Sequence, residues 1–504
     1  MKLFSRIDYF FDRLYTWRYN PLYQSGVIAI FLLLVAIATG TYLVFFYKVA
    51  LPYQSVERIQ NQIWLGAWIR PLHRYAADGS VVMAGYHMLR MFMQKRLWGA
   101  RTLAWISGIL LLGTLFFTGI TGFMLVSDIH SKVLSTEIAR LLDLLPLFSE
   151  PISSTFNGPL PLSRSFFFAI LFIHISLPLG LGLLLWLHTS KLARPALLPP
   201  KKLMWGLLSL LLLVAVVLPT PLAPNADPHA MITRFPFNFF FTFWLPLSIK
   251  LSSLASLSLF IFSSSLFIAV PWLFKPSPEK QPAKSFVHEK SCTGCTSCYK
   301  DCPFDAIDMV PRSIGHGSAF VAKVDPSHCV SCGICAAACD PMGVGPAGRT
   351  GRDQIRDMEN LLKNKIRLKE TILVMGCQQS IAWPESMMRN PRFLFHTISC
   401  AGGLHSACLE HALKRGIAGI FIVSCPPRNC INREGPKWLM ARLYQGHESS
   451  LNPTIDRDLV CVSPFGCMET LRAMEELKMF SEKIKQKHSP DMSKLPEKEC
   501  AMEI

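Results

Sequence analysis

Cysteine is missing from the first 291 residues, and all 16 cysteines of the 504-residue chain lie between Cys292 and Cys500. Charge is scarce as well: 17% of residues are Asp, Glu, Lys or Arg, against 51% hydrophobic. That balance argues against a disordered chain, and a mean hydropathy of +0.31 argues against a single soluble globule. Acidic residues are rarest at the front. Residues 1–275 hold 22 Lys+Arg but 9 Asp+Glu, whereas the remainder holds 29 and 25. The basic excess therefore sits in the apolar half, where it orients a membrane protein and does not point to nucleic acid. A secreted disulfide scaffold fits poorly too, because such scaffolds are small and lack long apolar spans. The length predicts about three domains.

Runs of the about 17–25 apolar residues needed to cross a bilayer fall near 26–47, 76–94, 103–126, 165–188, 203–220 and 249–273. Six spans are expected, preceded by an amphipathic surface helix from Arg6 to Tyr19 and by no cleavable signal. Lys2, Arg6, Arg13 and Arg18 precede the first span; Lys95, Arg96 and Arg101 follow the second. Lys191, Arg194, Lys201 and Lys202 follow the fourth, and Lys275, Lys280 and Lys284 the last. These share one side if the spans alternate, and the positive-inside rule makes it the cytoplasm of a prokaryotic inner membrane. The Cys-rich half then lies in a reducing compartment, where thiols serve as metal ligands or redox groups.

Four histidines stand in this membrane half. His73 and His87 belong to the second span, and His174 and His188 to the fourth. Each pair is 14 residues apart, about 21 Å and close to four helical turns, so both members share one face. The two spans run in the same direction, which sets His73 level with His174 and His87 level with His188. Intramembrane ionisable residues are rare and functional by default, and iron of a flat macrocycle accepts axial imidazole. Gly26 and Gly40 in the first span, and Gly108 and Gly122 in the third, repeat the interval of 14 and let a ring edge approach the backbone. Arg70, Arg74 and Arg90 flank the two sites and are candidates for binding haem propionates.

"WIRPLHRY", "GYHMLRMF", "TGITGFML", "LFIHIS" and "WLHTS" make residues 1–190 resemble the amino-terminal half of cytochrome b from quinol-oxidising cytochrome bc complexes. The resemblance implies two b haems, ligated by His73 with His174 and by His87 with His188. Residues 200–275 are similar, more faintly, to the start of that family's carboxyl-terminal half. Where the family carries Pro-Glu-Trp-Tyr this chain has Pro236-Phe237-Asn238-Phe239, so the carboxylate that would take a quinol proton is absent. The family's Pro-Trp segment is replaced by Leu125-Val126-Ser127-Asp128. With no cysteine before residue 292, a thioether-linked extra haem is excluded.

Beyond a Pro- and Lys-rich linker comes Cys292-x2-Cys295-x2-Cys298-x3-Cys302-Pro303, then Cys329-x2-Cys332-x2-Cys335-x3-Cys339. This doubled pattern carries two [4Fe–4S] clusters, the fourth cysteine of each run serving the other cluster. Cys292, Cys295, Cys298 and Cys339 are expected to hold one, and Cys329, Cys332, Cys335 and Cys302 the other. The segment resembles bacterial two-cluster ferredoxins.

Apolar runs at 371–376, 394–399, 418–424 and 459–463, with helical segments between them, predict an α/β sheet. Cys377, Cys400 and Cys425 each close one run, where doubly wound sheets place their sites, and Cys430 follows in Cys425-x4-Cys430. "VMGCQQS", "SCAGG" and "VSCPPRNC" make residues 371–480 resemble the delta subunit of methyl-viologen-reducing hydrogenase. That resemblance implies a [2Fe–2S] centre on Cys377, Cys400, Cys425 and Cys430, with Cys461 or Cys467 as a substitute for one of them. It also implies a heterodisulfide-reductase-like flavoprotein or a hydrogenase or dehydrogenase as partner. Cys408, Cys461, Cys467 and Cys500 are left without an assigned role.

The expected organisation is a di-haem membrane domain over 1–275, a linker over 276–290, a ferredoxin domain over 291–345, a helical connector over 346–370, a delta-like iron–sulfur domain over 371–480 and a charged tail over 481–504. In fold terms this is an α-helical membrane bundle, a ferredoxin-like α+β domain and a doubly wound α/β domain. No acid, base or nucleophile stands out, so the expected role is an electron-transfer subunit, the oxidoreductase component of a multi-subunit, dimer-forming complex. It would link a cytoplasmic redox enzyme to the quinone pool, with quinone bound near the inner haem. One alternative is a quinone-independent conduit to a periplasmic cytochrome; another is a redox sensor or assembly scaffold.

Overall fold

The computed structural model describes residues 10–11, 14–15, 19–93, 97–98, 101–145, 150–157, 163–190, 196–226, 238–275, 277, 282–312, 317–363, 368–378, 380–427, 430–466 and 469–488. Most of the surface helix expected from Arg6 to Tyr19, Pro236 and Phe237, Cys467, Cys500 and the tail beyond 488 lie outside the described residues. The chain divides into two compact units: Gln24–Lys275, and Met1–Tyr23 together with Pro276–Ile504.

The first unit is helical. Its longer elements are α1 (Ser25–Phe46), α2 (Gly66–Met93), α3 (Thr102–Met124), α4 (Ile129–Leu142), α5 (Arg164–Ser190), α6 (Lys201–Val217) and α7 (Ser253–Leu273). Among the described residues, α1, α3, α5 and α7 are long and apolar enough to cross a membrane. The 22 residues of α1 reach about 33 Å, against about 30 Å for a bilayer core, and a helix satisfies its own backbone there. Four of the six expected spans are thus present as such helices. The run expected at 76–94 falls within α2, whose 28 residues include Arg70, Arg74, Asp78 and Arg90, and these charges dilute its hydropathy. The run expected at 203–220 forms α6, which has 17 residues.

Two helix pairs organise this unit: α1 packs along α2, and α3 along α5. Small residues on α1 and α3 (Ser25, Gly26, Thr39, Gly40, Ser107, Gly108, Thr121, Gly122) permit the close approach. The Leu125–Asp128 stretch ends α3 and starts α4. Asp128 caps α4 by accepting from the backbone N–H of His130 and of Ser131, at 3.1 and 2.9 Å.

The second unit opens with two antiparallel ribbons. β1 (Ser285–Val287) pairs with β4 (Val344–Pro346), and β2 (Ile307–Pro311) with β3 (Phe320–Val324). The expected linker therefore ends in a strand, because the Ser-Phe-Val run finds a backbone partner near residue 345. Next comes α8 (Gly351–Leu362), started by a capping box in which Thr350 and Asp353 satisfy each other's backbone N–H. Its Met358 and Leu362 are buried in the core of the following sheet, so the expected connector is part of that core.

The sheet is parallel, in the order β6 (Phe393–Ile398), β5 (Ile372–Cys377), β7 (Gly419–Ser424), β8 (Val460–Pro464). Alternate residues feed two cores. Leu373, Met375, Ile420 and Ile422 meet α8, α9 (Ser406–Lys414) and α10 (Gly435–Tyr444) on one face. Ile372, Val374, Phe421 and Val423 meet α11 (Thr470–His488) on the other. Burial on both faces explains why these strands read as unbroken apolar runs.

Candidate metal and cofactor centres

His73 and His87 lie on α2, and His174 and His188 on α5. Each meets a different glycine of the neighbouring helix. A Cβ added at Gly26 would lie 3.1 Å from His87 Cε1, and one at Gly40 3.0 Å from His73 Cε1. At Gly108 it would lie 3.3 Å from His188 Cε1, and at Gly122 2.9 Å from His174 Cε1. The His73 and His174 ring centroids are 6.4 Å apart, with the ring planes inclined at 64°. Two imidazole–metal bonds of about 2 Å plus the half-widths of two rings come to about 6 Å, so the separation leaves room for one metal ion that both rings would hold.

The hydroxyl residue just before each glycine completes the pattern, and it is a feature the motif reading passed over. Thr39 Oγ1 lies 3.1 Å from His73 Nδ1, Thr121 Oγ1 3.0 Å from His174 Nδ1, and Ser107 Oγ 3.1 Å from His188 Nδ1. Ser25 Oγ is 3.5 Å from His87 Nδ1. The Thr39, Thr121 and Ser107 hydroxyls donate to carbonyls of their own helix, to Val35, Thr118 and Leu103. Their oxygens are thus left to accept from the ring. His73 Nδ1 and His174 Nδ1 also lie 2.9 Å from the Ala36 and Thr118 carbonyls. An Nδ1 facing only acceptors carries the proton, which leaves the Nε2 lone pair for a metal. The signal in the sequence was a Ser/Thr-Gly dipeptide, at 25–26, 39–40, 107–108 and 121–122.

The three arginines are placed differently. Arg70 Nη1 donates to Gln60 Oε1 at 2.7 Å and to the Thr220 carbonyl at 2.9 Å. Arg74 lies over the Phe123 ring, 4.9 Å from its centroid, and its Nε is 4.0 Å from Asp78. Arg90 is buried.

In the second unit Cys292, Cys295, Cys298 and Cys339 line one cavity. Cys302 lies within electrostatic reach of Cys329, Cys332 and Cys335. Backbone N–H groups donate to several sulfurs: Ser285 and Ser331 to Cys329 Sγ, Ala306 to Cys302 Sγ and Gly343 to Cys339 Sγ, all at 3.3–3.5 Å. Burial pushes the Cys335 thiol up to about 12 and raises Cys298 and Cys332. Buried thiolates need compensating positive charge and donors; these N–H groups supply donors, and iron held by the sulfurs would supply the charge. Among the described residues no three His, Cys, Asp or Glu side chains converge tightly enough to hold a single metal ion.

The third cysteine set gathers at the carboxyl ends of the sheet. Cys377 ends β5, Cys400 follows β6, and Cys425 follows β7. Cys425 Sγ donates to Cys377 Sγ at 3.5 Å, and Cys430 is hydrogen-bonded to Cys400. That bond lowers the Cys400 thiol to about 6 and raises Cys430. Gly435, the first residue of α10, closes the site: a Cβ there would lie 2.9 Å from Cys400 Sγ and 3.2 Å from Cys430 Sγ. Cys408 stands apart, its buried thiol donating to the Gln354 carbonyl at 3.6 Å. Cys461 is disulfide-bonded.

Three family models match the chain, in order. They are Cytochrome b/b6/petB at residues 11–195, 4Fe-4S dicluster domain at 291–343, and Methyl-viologen-reducing hydrogenase, delta subunit, at 371–487. Cytochrome b6 of Desmonostoc sp. (strain PCC 7906) is 35% identical over 111 residues, 22% of this chain and 52% of that protein. Cytochrome b6 of Mastigocladus laminosus gives the same identity and coverage. That of Auxenochlorella protothecoides is 26% identical over 172 residues, 34% of this chain and 80% of that protein. The chain thus spans about half the length of the first two relatives. A solved structure titled "Hyperthermophilic respiratory Complex III" overlaps 50% of this chain and 75% of its own, at 18% identity and a TM-score of 0.42. The three resemblances read from the motifs therefore stand, in the same order. The chain is multidomain, with a helical cytochrome b-like part containing four apolar helices and a carboxyl-terminal α/β region.

Proposed function

We propose that this chain is a membrane electron-transfer subunit whose cysteine sets and histidine pairs hold a series of one-electron centres. The supporting observation is the one-to-one match of four histidines of the helical unit with four glycines, each ring approached at Nδ1 by a hydroxyl. His73 with His174, and His87 with His188, would each hold a b haem. Cys292, Cys295, Cys298 and Cys339 would hold one [4Fe–4S] cluster, and Cys302, Cys329, Cys332 and Cys335 the other. Cys377, Cys400, Cys425 and Cys430 would hold a [2Fe–2S] cluster. Bound there, such groups accept and release one electron at a time.

The residues around these centres prepare them. Thr39, Ser107 and Thr121 fix the imidazole tautomer, the four glycines leave room for a ring edge, and N–H groups at residues 285, 306, 331 and 343 face the sulfurs. The delta-like module would dock a heterodisulfide-reductase-like flavoprotein or a hydrogenase-type enzyme. The membrane module would exchange electrons with quinone, the iron–sulfur unit facing the cytoplasm of a prokaryotic cell. The second reading, transfer to a periplasmic cytochrome without quinone, is favoured by the missing carboxylate in Pro236-Phe237-Asn238-Phe239.

The test is the purified protein mixed with a quinol analogue. Reduction of a b-type spectrum, lost on changing His87 or His188, supports the quinone link. Haems that the quinol leaves oxidised but that, once reduced chemically, are oxidised by an added cytochrome c support the second reading, and no b-type spectrum rejects both.

A further inference from the structure

Arg442 lies on α10, and its side chain is 1% exposed. Its guanidinium touches three loops that each belong to a cysteine set. Nη2 donates to Asp301 Oδ2 at 2.6 Å, beside Cys302, and lies 3.5 Å from the Ile334 carbonyl, between Cys332 and Cys335. Nη1 donates to the Gly402 carbonyl at 3.0 Å, two residues beyond Cys400. Asp301 is fully buried, and His447 Nε2 approaches its other oxygen at 3.0 Å. The Nε of Arg442 is buried without an acceptor, so the protein's own hydrogen bonds leave this cation incompletely compensated.

The same loops bring two cysteine sets together. A Cβ at Gly403 would lie 3.1 Å from the Gly333 carbonyl oxygen and 3.2 Å from that of Cys332. Gln354 holds the contact from the side, donating to the Gly403 carbonyl at 2.8 Å and accepting from His405 N–H at 2.9 Å. Arg433 reinforces it by bonding the Pro303 carbonyl and covering the Phe304 ring. Cys332 and Cys400 lie within electrostatic reach of each other, and Arg442 within reach of Cys335 and Cys400.

Burying a charge is costly unless it is paired, and a well-packed apolar pair would hold two modules together at least as well. A fixed cation between two iron–sulfur sites has a further effect. It stabilises the added electron on whichever site is reduced, and in a low-dielectric interior that effect is large. We propose that Arg442 is a positioning residue for electron transfer between the Cys377/Cys400/Cys425/Cys430 site and the Cys302/Cys329/Cys332/Cys335 site, setting both reduction potentials with Asp301 as its counter-charge. The step it serves moves one electron, oxidising one site as the other is reduced, with no bond made or broken. The inference rests on the cluster assignments of the preceding section.

The experiment is a redox titration of the full-length protein, followed by electron paramagnetic resonance, in Arg442→Gln, Arg442→Lys and Asp301→Asn. Arg442→Gln should shift both potentials downward and Asp301→Asn should shift both upward, while Arg442→Lys keeps the charge and stays near the wild type. Opposite signs from two disruptive changes are not what structural damage produces. If Arg442→Gln loses its signals outright, the other two variants decide. Signals that persist at unmoved potentials, or that move the same way in the Gln and Asn variants, overturn the role of Arg442 and leave the cluster assignments intact. A wild-type protein without two distinct kinds of iron–sulfur signal overturns the assignments themselves.

Discussion

Gly122 stands against His174 so closely that a Cβ on the glycine would lie 2.9 Å from the ring's Cε1. Real Cβ atoms do not come that near, so any larger residue must push the imidazole aside. Gly122→Leu is expected to lower haem content from two per chain to one, measured as pyridine haemochrome. Gly108→Leu should remove the other haem, since Gly108 meets His188. Equal loss of both haems in either variant would show that the two sites are not separate.

The hydroxyls predict a subtler effect. Thr121→Val keeps the shape of the side chain and deletes the acceptor 3.0 Å from His174 Nδ1. One such hydrogen bond is worth about 1 kcal/mol, or roughly 40 mV for a one-electron couple. The expected outcome is a shift of about that size in one haem potential, with bis-histidine spectra retained. Spectroelectrochemistry reads it, and an unmoved potential would assign Thr121 to helix packing alone.

Gly435→Ala would place a methyl 2.9 Å from Cys400 Sγ and 3.2 Å from Cys430 Sγ. The two-iron signal should disappear while both four-iron clusters persist, read by iron analysis and electron paramagnetic resonance. Survival of the two-iron signal would remove Cys400 or Cys430 from its ligand set.

Cys408 offers the opposite expectation. Its thiol is buried and bonded to the Gln354 carbonyl, and burial, helped by the nearby Asp357, pushes it up to about 12. Cys408→Ala should leave iron content unchanged and cost about 1–2 kcal/mol of stability from the lost packing. Loss of iron would make Cys408 a ligand.

These sites were legible in the sequence to different degrees. The intervals between histidines and glycines come directly from helical geometry, and the ferredoxin spacing is local, so both could be read from the chain alone. The hydroxyls Ser25, Thr39, Ser107 and Thr121 were visible as neighbours of those glycines, but a Ser or Thr in an apolar helix ordinarily bonds its own backbone and draws no notice. Arg442 and Asp301 are 141 residues apart, and no periodicity links them; only tertiary packing does. The span count met its limit at α2, because Arg70, Arg74, Asp78 and Arg90 make a long helix less apolar than its length implies. The linker reading missed β1, a three-residue strand whose pairing is decided by β4, some sixty residues later.

The central claim is that electrons delivered to the iron–sulfur unit reach the membrane histidine sites. The most direct measurement is rapid mixing of the full chain, in sealed vesicles with the iron–sulfur unit outward, with a reduced low-potential viologen that cannot cross the bilayer, while the b-type absorbance is followed. Rapid haem reduction that is abolished in Cys332→Ser, with both haems still bound, is the predicted result. Haems that reduce at the same rate in that variant, or stay oxidised while the clusters are reduced, would contradict it.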